Sequence, residues 1–512
     1  MADDRDVAHE LVGRTLTVAA GLLLAGPPLM VGAIGLGLSP ALAWLVPISL
    51  AAITLSSGRA PALPLDAARA HPVAALLWTA VLAVAVTFSI RASLYAHYPD
   101  APRFSIAPGD RFREEHLCMT AYAEAARFLE EPGVNVYAPE LYRPGDVPRR
   151  IGRFTVDYYH YPPPFLLLPA AVRILAPDFY DFRRVWFAVQ TLAMLGLWLG
   201  VAWWLGGLTG RRFALAGVGL MALPVSWATI QVGNIQSTVV ALALAGMMAV
   251  ASGRLPAGAA LLSAAALGKV FPGVLLVHVL AWSRPRLAAW VVAWGVGITA
   301  LTATAFGAEI FREFAFGELP RMLSGEAFPQ TELPPTAVAN QSIYGLTVKL
   351  RLLGIDVLHR EAGKAVTRVL VALLGLAALI VGWRSVRGVV FDTGERRLGA
   401  LVIAFGFLNL ASLISPFVGG SYGALYTIWL ASLLAVGPVT SRMRSTLFIT
   451  GAVLVVANAL TPTPRPGVVP GTTTLLIATI ASVALFTVNI VAVWVGNRLL
   501  AGSYSDSNAT PA

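Results

Sequence analysis

Apolar runs of membrane-spanning length fill most of the 512-residue chain. A bilayer core about 30 Å thick needs about 20 apolar residues in each spanning helix. The pattern therefore predicts an all-α integral membrane protein, a multi-helix bundle with about 11–14 membrane segments. The predicted segments lie near residues 12–37, 41–56, 73–95, 184–207, 213–231, 236–252, 287–307, 366–383, 398–414, 422–440, 446–461 and 472–496.

A long polar insert, from about Tyr98 to Tyr161, interrupts this pattern and is rich in acids, arginines, aromatic residues and prolines. A large loop on one face of a helix bundle is a place where aqueous chemistry can act on a membrane-borne substrate. The pattern therefore favours a membrane enzyme over a simple pore. The predicted division of the chain is additional N-terminal segments at 1–72, a catalytic membrane core at 73–440 that carries the insert at 98–161, further segments at 441–500, and a disordered tail at 501–512.

Two apolar segments do not fit a simple alternation of spanning helices. Residues 162–176 are too short to span, and we expect a re-entrant or interfacial helix there. Residues 256–282 lie between Arg254 and the Arg284/Arg286 pair, and we expect these arginines to face the cytoplasm. Ends on the same side of the membrane predict a hairpin, broken at Gly268–Gly273. Lys269 then lies at the apex of the hairpin, where non-helical backbone is tolerated only if it lines a protein cavity.

The charge distribution orients the chain. The formal net charge is +10 with only 12% charged residues, and many of the arginines lie in short joints between apolar runs. Such joints face the cytoplasm, which places both termini inside and the insert outside. We therefore expect a multi-pass protein of a bacterial-type cytoplasmic membrane, with its active site on the extracytoplasmic side, the bilayer as its partner and no nucleic-acid partner.

Cysteine and histidine usage gives little support for a metal centre. Cys118 is the only cysteine, which excludes an intramolecular disulfide and a site of several thiolates. His116 and His160 fall in the insert and His97 directly precedes it, without the spacing of metal ligands. The sequence therefore predicts no metal and no other cofactor.

The insert and one later loop carry the residues suited to sugar chemistry. Aromatic rings stack on sugar faces and carboxylates accept hydroxyl hydrogen bonds, which favours carbohydrate binding over a plain solvated loop with an interfacial tyrosine belt. The loop around Gln231 and Asn234 brings amides between two helices, either to hold sugar hydroxyls or as a plain polar turn. The insert residues concerned are Asp110, Glu114, Glu115, Tyr122, Asp157, His160 and Tyr161.

Lys269 is the sharpest candidate in the apolar part of the chain. An ammonium within apolar segments is costly and usually marks a ligand or a partner. A lipid phosphate suits such a compact cation. The alternative is a lysine whose ammonium extends to the membrane surface.

Several motifs together resemble one family of membrane enzymes. They are Tyr122-x-x-Ala125-Ala126 with Gly133 and Tyr137, Tyr159-His160-Tyr161-Pro162-Pro163, Gln231-x-Gly233-Asn234, Gly253-Arg254 with Ala257-Gly258, Lys269-x-x-Pro272, Asn340-Gln341-Ser342 and Ser415-Pro416. The chain thus resembles polytopic glycosyltransferases of the GT-C class, specifically the DUF2029 family (glycosyltransferase family 87). The resemblance implies transfer of a sugar, mannose in the known relatives, from a polyprenyl phosphosugar donor to a glycolipid or glycan acceptor.

The resemblance also implies roles for individual residues. Many relatives carry an aspartate a few residues before the first tyrosine of the insert, where this chain has Leu117 and Cys118. The expected general base is therefore, in order of preference, Glu115, Glu114 or Asp110, with Asp157 in reserve. The donor phosphate is expected at Lys269, Arg111 and Arg113. The residues expected to bind sugar or acceptor are Tyr122, Asp157, His160, Tyr161, Gln231, Asn234, Asn340 and Gln341.

Two rival functions remain open at this point. A transporter or flippase for a lipid-linked sugar would need alternating access, and the chain has neither matched halves nor paired broken helices that are visible in its sequence. A ligase of the same architecture would transfer a whole glycan instead of one sugar. A panel of lipid-linked donors separates these functions.

Overall fold

The computed structural model describes residues 4–56, 70–131, 133–282, 285–328, 333–355, 360–386, 389–436 and 470–501. The predicted membrane segment at 446–461 and the tail after residue 501 lie outside the described residues. Among the described residues nearly all regular structure is helical, and the strands are only two residues long. The predicted all-α membrane fold is confirmed.

The described residues of the N-terminal part form three helices before the first core helix, followed by the short elements of the insert. They are α1 (Asp4–Gly35), α2 (Pro40–Ala43), α3 (Leu45–Ser56), α4 (Pro72–His97), α5 (Arg111–Glu115), α6 (Met119–Phe128), α7 (Pro139–Tyr142), β1 (Arg150–Ile151) and β2 (Phe154–Thr155), with 3₁₀ turns at Pro102–Phe104 and Pro144–Asp146.

The central part begins with a 3₁₀ turn at Pro163–Leu166. It continues with α8 (Leu167–Leu175), α9 (Phe179–Leu205), α10 (Gly207–Met221), α11 (Pro224–Gln231), α12 (Gln236–Ala251), α13 (Leu255–Gly268), α14 (Gly273–Leu280) and α15 (Pro285–Phe306).

The C-terminal part mixes short elements with long helices. It contains α16 (Glu309–Arg312), a π-helix at Glu313–Glu318, α17 (Leu319–Ser324), α18 (Pro334–Ala339), α19 (Ile343–Leu352), α20 (Arg360–Val381), a π-helix at Gly382–Val386, α21 (Gly394–Ile414), α22 (Gly420–Val436) and α23 (Thr472–Leu500).

Seven helices in the described part of the chain are long and apolar enough to cross a membrane, and the count is eight if α10 and α11 form one span. The apolar segment predicted near residues 213–231 is bent, since α10 and α11 meet at an angle of 68°. Pro224 is the first residue of α11 and has no N–H to continue the hydrogen bonding of α10, so the chain turns there.

The two unusual apolar segments have the predicted local form. The stretch Pro163–Leu175 forms a 3₁₀ turn and a short helix. The apolar run from Leu255 to Leu280 is broken between Gly268 and Gly273, with Lys269 in the break. Whether the first segment is re-entrant, and whether the second returns to its own side of the membrane, stay predictions.

Helices in the bundle approach closely where glycines face each other. Gly399 of α21 and Gly496 of α23 each leave room for the other's backbone carbonyl, since an added Cβ would lie 2.8 Å from that oxygen. The same two helices are joined where Asn409 Nδ2 donates to Asn489 Oδ1 at 2.9 Å. Small residues and interhelical amide hydrogen bonds stabilise helix pairs in lipid, where apolar burial between helices is weak.

The insert folds against the N-terminal end of α9 through an aromatic core of its own. Tyr122 of α6 packs on Phe165 and Trp186, with ring centroids 4.9 and 5.2 Å away. The short hairpin pairs Arg150 with Thr155 and Ile151 with Phe154, where Phe154 is buried. This packing fixes the insert over the break that contains Lys269.

Candidate functional site

The tyrosine-rich run at the end of the insert directs alternate side chains to two sides. The rings of Tyr159 and Tyr161 lie 5.7 Å apart, and those of Tyr158 and His160 lie 5.9 Å apart. Contacts between residues two apart are typical of extended backbone, where neighbouring side chains point in opposite directions. Tyr161 and His160 therefore face different parts of the molecule.

Tyr161 is fixed against α6 and the loop before α12. The Tyr122 hydroxyl donates to the Tyr161 hydroxyl at 2.7 Å and accepts from Ile235 N at 3.3 Å. The Tyr137 hydroxyl donates to the Tyr161 carbonyl at 2.9 Å. The predicted pair of Tyr122 and Tyr161 thus lies together in one cluster.

The Gln231–Ser237 loop depends on Gly233, which has φ +72° and lies so close to Met119 that a Cβ would be 2.3 Å from the Met119 side chain. The Gly233 carbonyl accepts from Trp186 Nε1 and Gln190 Nε2, both at 2.9 Å. The conformation presents Asn234, whose Oδ1 accepts from Gln236 N at 3.0 Å. The loop therefore holds its amide side chains rigidly between helices.

Lys269 contacts these amides. Its Nζ donates to Gln236 Oε1 at 2.7 Å and to Asn234 Oδ1 at 3.4 Å, and lies 5.3 Å from the centroid of the Tyr161 ring. Gln236 is itself fixed because its Nε2 donates to Ser412 Oγ of α21 at 3.0 Å. Within the described part of the chain no carboxylate forms an ion pair with Lys269. A cation held only by neutral groups is suited to an anionic ligand.

Asp157 lies with His116 on the insert side of the same cluster. His116 Nδ1 is 3.2 Å from Asp157 Oδ1, and both side chains keep a little over a quarter of their surface exposed, 27% and 28%. Burial lowers the pKa of His116, but the charge and hydrogen bond of Asp157 outweigh it and raise that pKa well above its usual value. The pair is therefore a carboxylate beside an imidazolium that reaches solvent.

A chain of short contacts joins the lysine to this pair. Its links are Lys269 Nζ to Asn234 Oδ1 at 3.4 Å, Asn234 Nδ2 to Cys118 Sγ at 3.4 Å, Cys118 Sγ to His116 Nε2 at 3.7 Å, and His116 Nδ1 to Asp157 Oδ1 at 3.2 Å. The cation and the carboxylate thus lie at opposite ends of one polar cluster.

The three acids preferred from sequence contact arginines of the insert rather than the cluster around Lys269. Asp110, the residue before α5, has its Oδ2 3.4 Å from Nε of Arg113 in α5. Glu115 pairs with Arg150 at 3.3 Å, where the arginine is 55% exposed. The Glu115 contact joins α5 to the β-hairpin. The Asp110 contact joins α5 to the residue that precedes it.

Glu114 is the most buried of the three. Its Oε1 accepts from Gly109 N at 2.7 Å, and its Oε2 is 3.6 Å from Arg153. Both carboxylate oxygens are therefore used in folding the insert. Of the two arginines expected at the donor phosphate, Arg113 pairs with Asp110, and the side chain of Arg111 lies outside what the structure describes.

Gln231 binds the insert backbone rather than the cluster around Lys269. Its Oε1 accepts from Ile106 N at 2.7 Å, and its Nε2 donates to Ser105 Oγ and to the Arg113 carbonyl, both at 3.0 Å.

His160 points to the opposite side of the tyrosine-rich run from Tyr161. Its Nδ1 lies 2.5 Å from the buried Glu318 carboxylate, which also pairs with Arg321 at 3.0 Å.

Asn340 and Gln341 fix the segment before α19. Asn340 Oδ1 accepts from Ser342 N and Val418 N at 3.0 Å. Gln341 Oε1 accepts from Ser482 Oγ of α23 at 2.8 Å. These contacts join distant parts of the bundle.

Sequence reasoning missed Gln236, Cys118 and Glu318 as members of these clusters. The first follows Asn234 by two residues, so its place in the same loop was a usable signal. Glu318 lies 158 residues from His160, and no local pattern connects the two.

Comparison with known proteins identifies one family. The model of glycosyltransferase family 87 matches residues 159–416, half of the chain. The match contains Tyr161, Asn234 and Lys269, and begins two residues after Asp157. No curated protein and no solved structure matches the chain.

Proposed function

Because the chain belongs to glycosyltransferase family 87 and is a membrane glycosyltransferase, we propose that it moves a sugar from a polyprenyl phosphosugar to a hydroxyl of a glycolipid or glycan acceptor. The observation that carries the proposal is the Lys269 ammonium, held by neutral amides within apolar segments, at one end of a cluster that has Asp157 at the other. The family resemblance favours mannose as the sugar.

The donor phosphate binds Lys269 in this proposal. A polyprenyl chain lies in lipid beside the bundle, so its phosphate enters at membrane depth, where Lys269 interrupts the apolar run between α13 and α14. Gln236 and Asn234 aim the ammonium, and their amides offer hydrogen bonds to phosphate or sugar oxygens. A cation stabilises the departing phosphate most strongly there, because little water screens its charge.

Asp157 acts as the general base. As the acceptor oxygen attacks the anomeric carbon, the bond from that carbon to the phosphate oxygen breaks, and polyprenyl phosphate leaves with the bonding electrons. The acceptor proton passes to the Asp157 carboxylate. A single displacement inverts the anomeric centre, because attack and departure take place on opposite faces, which suits a cation and a base at opposite ends of the cluster. Such a base contributes about 10²–10⁴-fold.

The transfer takes place on the extracytoplasmic face in this proposal, because the arginine-rich joints lie on the other side. In a Cys118→Ser background, a membrane-impermeant thiol reagent should label Val147→Cys in the insert, where Val147 is 66% exposed. It should leave Ser252→Cys, in the joint before Arg254, unlabelled until the membrane is permeabilised. The reverse pattern would place the insert in the cytoplasm.

The activity itself is tested with purified protein in detergent. Radiolabelled polyprenyl-phosphate-mannose and a membrane lipid extract should yield a labelled glycolipid that carries one added sugar. Label that crosses a reconstituted bilayer without any labelled product would show a transporter. Product that forms only from a lipid-linked oligosaccharide would show a ligase.

A further inference from the structure

We propose that His116, Cys118 and Asp157 bind a single Zn²⁺ ion, and that zinc bound there inhibits sugar transfer. The binding stands on the geometry of these three residues alone. The inhibition rests on the proposed function, because it follows from Asp157 being the general base.

The ligand atoms are close enough for one ion. One atom from each of the three side chains lies within 4.8 Å of the other two. Cys118 Sγ and His116 Nε2 are 3.7 Å apart, and two such ligands on a tetrahedral zinc lie about 3.5 Å apart, given bonds of about 2.3 Å to sulfur and about 2.0 Å to nitrogen. Asp157 contacts the other ring nitrogen, with its Oδ1 3.2 Å from His116 Nδ1, so its carboxylate must shift toward the sulfur to share the ion, within the 4.8 Å spread of the three ligand atoms.

The donor set selects the ion. A thiolate, an imidazole and a carboxylate are all zinc ligands, whereas calcium and magnesium take oxygen ligands. Three protein ligands leave a fourth position for water, as in zinc sites that exchange their ligands. Softer ligands such as thiolate also disfavour the hard divalent ions that are abundant outside cells.

The backbone holds the three residues in register. Cys118 directly precedes α6, and His116 forms a β-bridge with Thr155, two residues before Asp157. The Asp157 N–H donates to Thr120 Oγ1 at 3.0 Å, which ties the carboxylate to the start of α6. Because about a quarter of the His116 and Asp157 side-chain surface is exposed, an ion reaches them from the aqueous side.

Zinc would oppose the reaction at the step that needs a base. Binding displaces the thiol proton of Cys118 and one ring proton of the His116 imidazolium to solvent, and places the Asp157 carboxylate on a dication. A carboxylate in that position no longer accepts the proton of an acceptor hydroxyl. The cluster then holds the donor at Lys269 without transferring its sugar.

Metal binding is measured on the full chain in detergent, independently of activity. Protein treated with chelator and incubated with ZnCl₂ should retain one zinc per chain after gel filtration. Co²⁺ in place of zinc should give a thiolate charge-transfer band. Cys118→Ser should abolish that band and lower zinc affinity about 10-fold or more, whereas His97→Gln, a histidine outside the cluster, should keep both. No bound zinc, or equal affinity in Cys118→Ser, overturns the proposal.

Inhibition is measured for each variant as the transfer rate with zinc divided by the rate without zinc. This ratio removes differences in basal rate between variants. The wild-type ratio should fall at zinc concentrations that fill the site and recover with chelator, while Cys118→Ser needs about 10-fold more zinc. Transfer that rises with zinc overturns the inhibition. A chain without polyprenyl-phosphosugar transfer refutes the proposed function, yet its zinc content and cobalt spectrum still decide the binding.

Discussion

The insert contains two acidic regions of contrasting design. The region 110–115 directs its three carboxylates to arginines and backbone N–H groups of the insert itself. Asp157, in the second region, contacts His116 and faces the cluster that contains Lys269. The carboxylates of the first region contact groups that fold the insert itself. Asp157 keeps 28% of its side-chain surface exposed at the cluster, where an acceptor hydroxyl can reach it.

Asp157→Asn tests this contrast with the largest expected effect. The amide keeps the shape of the side chain but cannot take a proton, so transfer should fall by about 10²–10⁴-fold while donor binding persists. Glu115→Gln is the matched control and should keep transfer within about twofold, because its partner Arg150 lies on an exposed surface. Initial rates from radiolabelled donor decide between the two. An active Asp157→Asn beside an inactive Glu115→Gln would return the base to region 110–115.

Lys269→Ala tests the other end of the cluster. A hydrogen bond to a charged group is worth about 1.5–3 kcal/mol, so donor affinity should fall about 10- to 150-fold. Lys269→Arg should restore only part of it, because a planar guanidinium replaces a compact ammonium. Arg143→Gln removes an exposed insert cation and should leave the equilibrium affinity for labelled donor unchanged. Unaltered donor affinity in Lys269→Ala would refute the phosphate site.

Glu114→Gln should act on stability instead of chemistry. The glutamate is buried, accepts from Gly109 N and lies near Arg153, so its loss leaves polar groups of the insert without a full partner. We expect a loss of about 1–3 kcal/mol in unfolding free energy, with normal transfer per folded molecule. Thermal unfolding in detergent, alongside activity corrected for the folded fraction, measures both. A stable but inactive variant would make Glu114 a catalytic residue.

Asp110→Asn should have the smallest effect. Asp110 and Arg113 form a partly exposed pair three residues apart, with 20% and 26% of their side-chain surface accessible. Such pairs contribute about 0–1 kcal/mol. The unfolding temperature and the transfer rate should therefore both stay near wild type, and a loss of transfer alone would contradict the account.

The sequence was sufficient for the bundle and for several members of the polar cluster around Lys269. Apolar run lengths predicted the long helices, and the Gly-Lys-x-x-Pro-Gly pattern predicted the break that contains Lys269. Lys269, Asn234, Tyr122, Tyr161 and Asp157 were all named from sequence, and the structure brings them together. These signals are local, because helix length and helix breaks depend on neighbouring residues.

The tertiary partners of the polar residues were not predictable in the same way. Arg150 follows Glu115 by 35 residues and reaches it only through the β-hairpin fold. Gln341 likewise meets Ser482 of α23, 141 residues away. From sequence alone, a polar residue that binds a distant partner cannot be distinguished from one that binds a ligand. Contacts between residues so far apart in the chain therefore needed the structure.

The central claim is that one cluster holds the donor phosphate at Lys269 and the base at Asp157. The most direct measurement is a cryo-electron microscopy structure of the Asp157→Asn chain with bound polyprenyl phosphosugar. The account predicts phosphate density within hydrogen-bond distance of Lys269 Nζ, with the anomeric carbon on the side toward residue 157. Phosphate bound instead at Arg113 or Arg150, with the sugar beside Glu115, would contradict it.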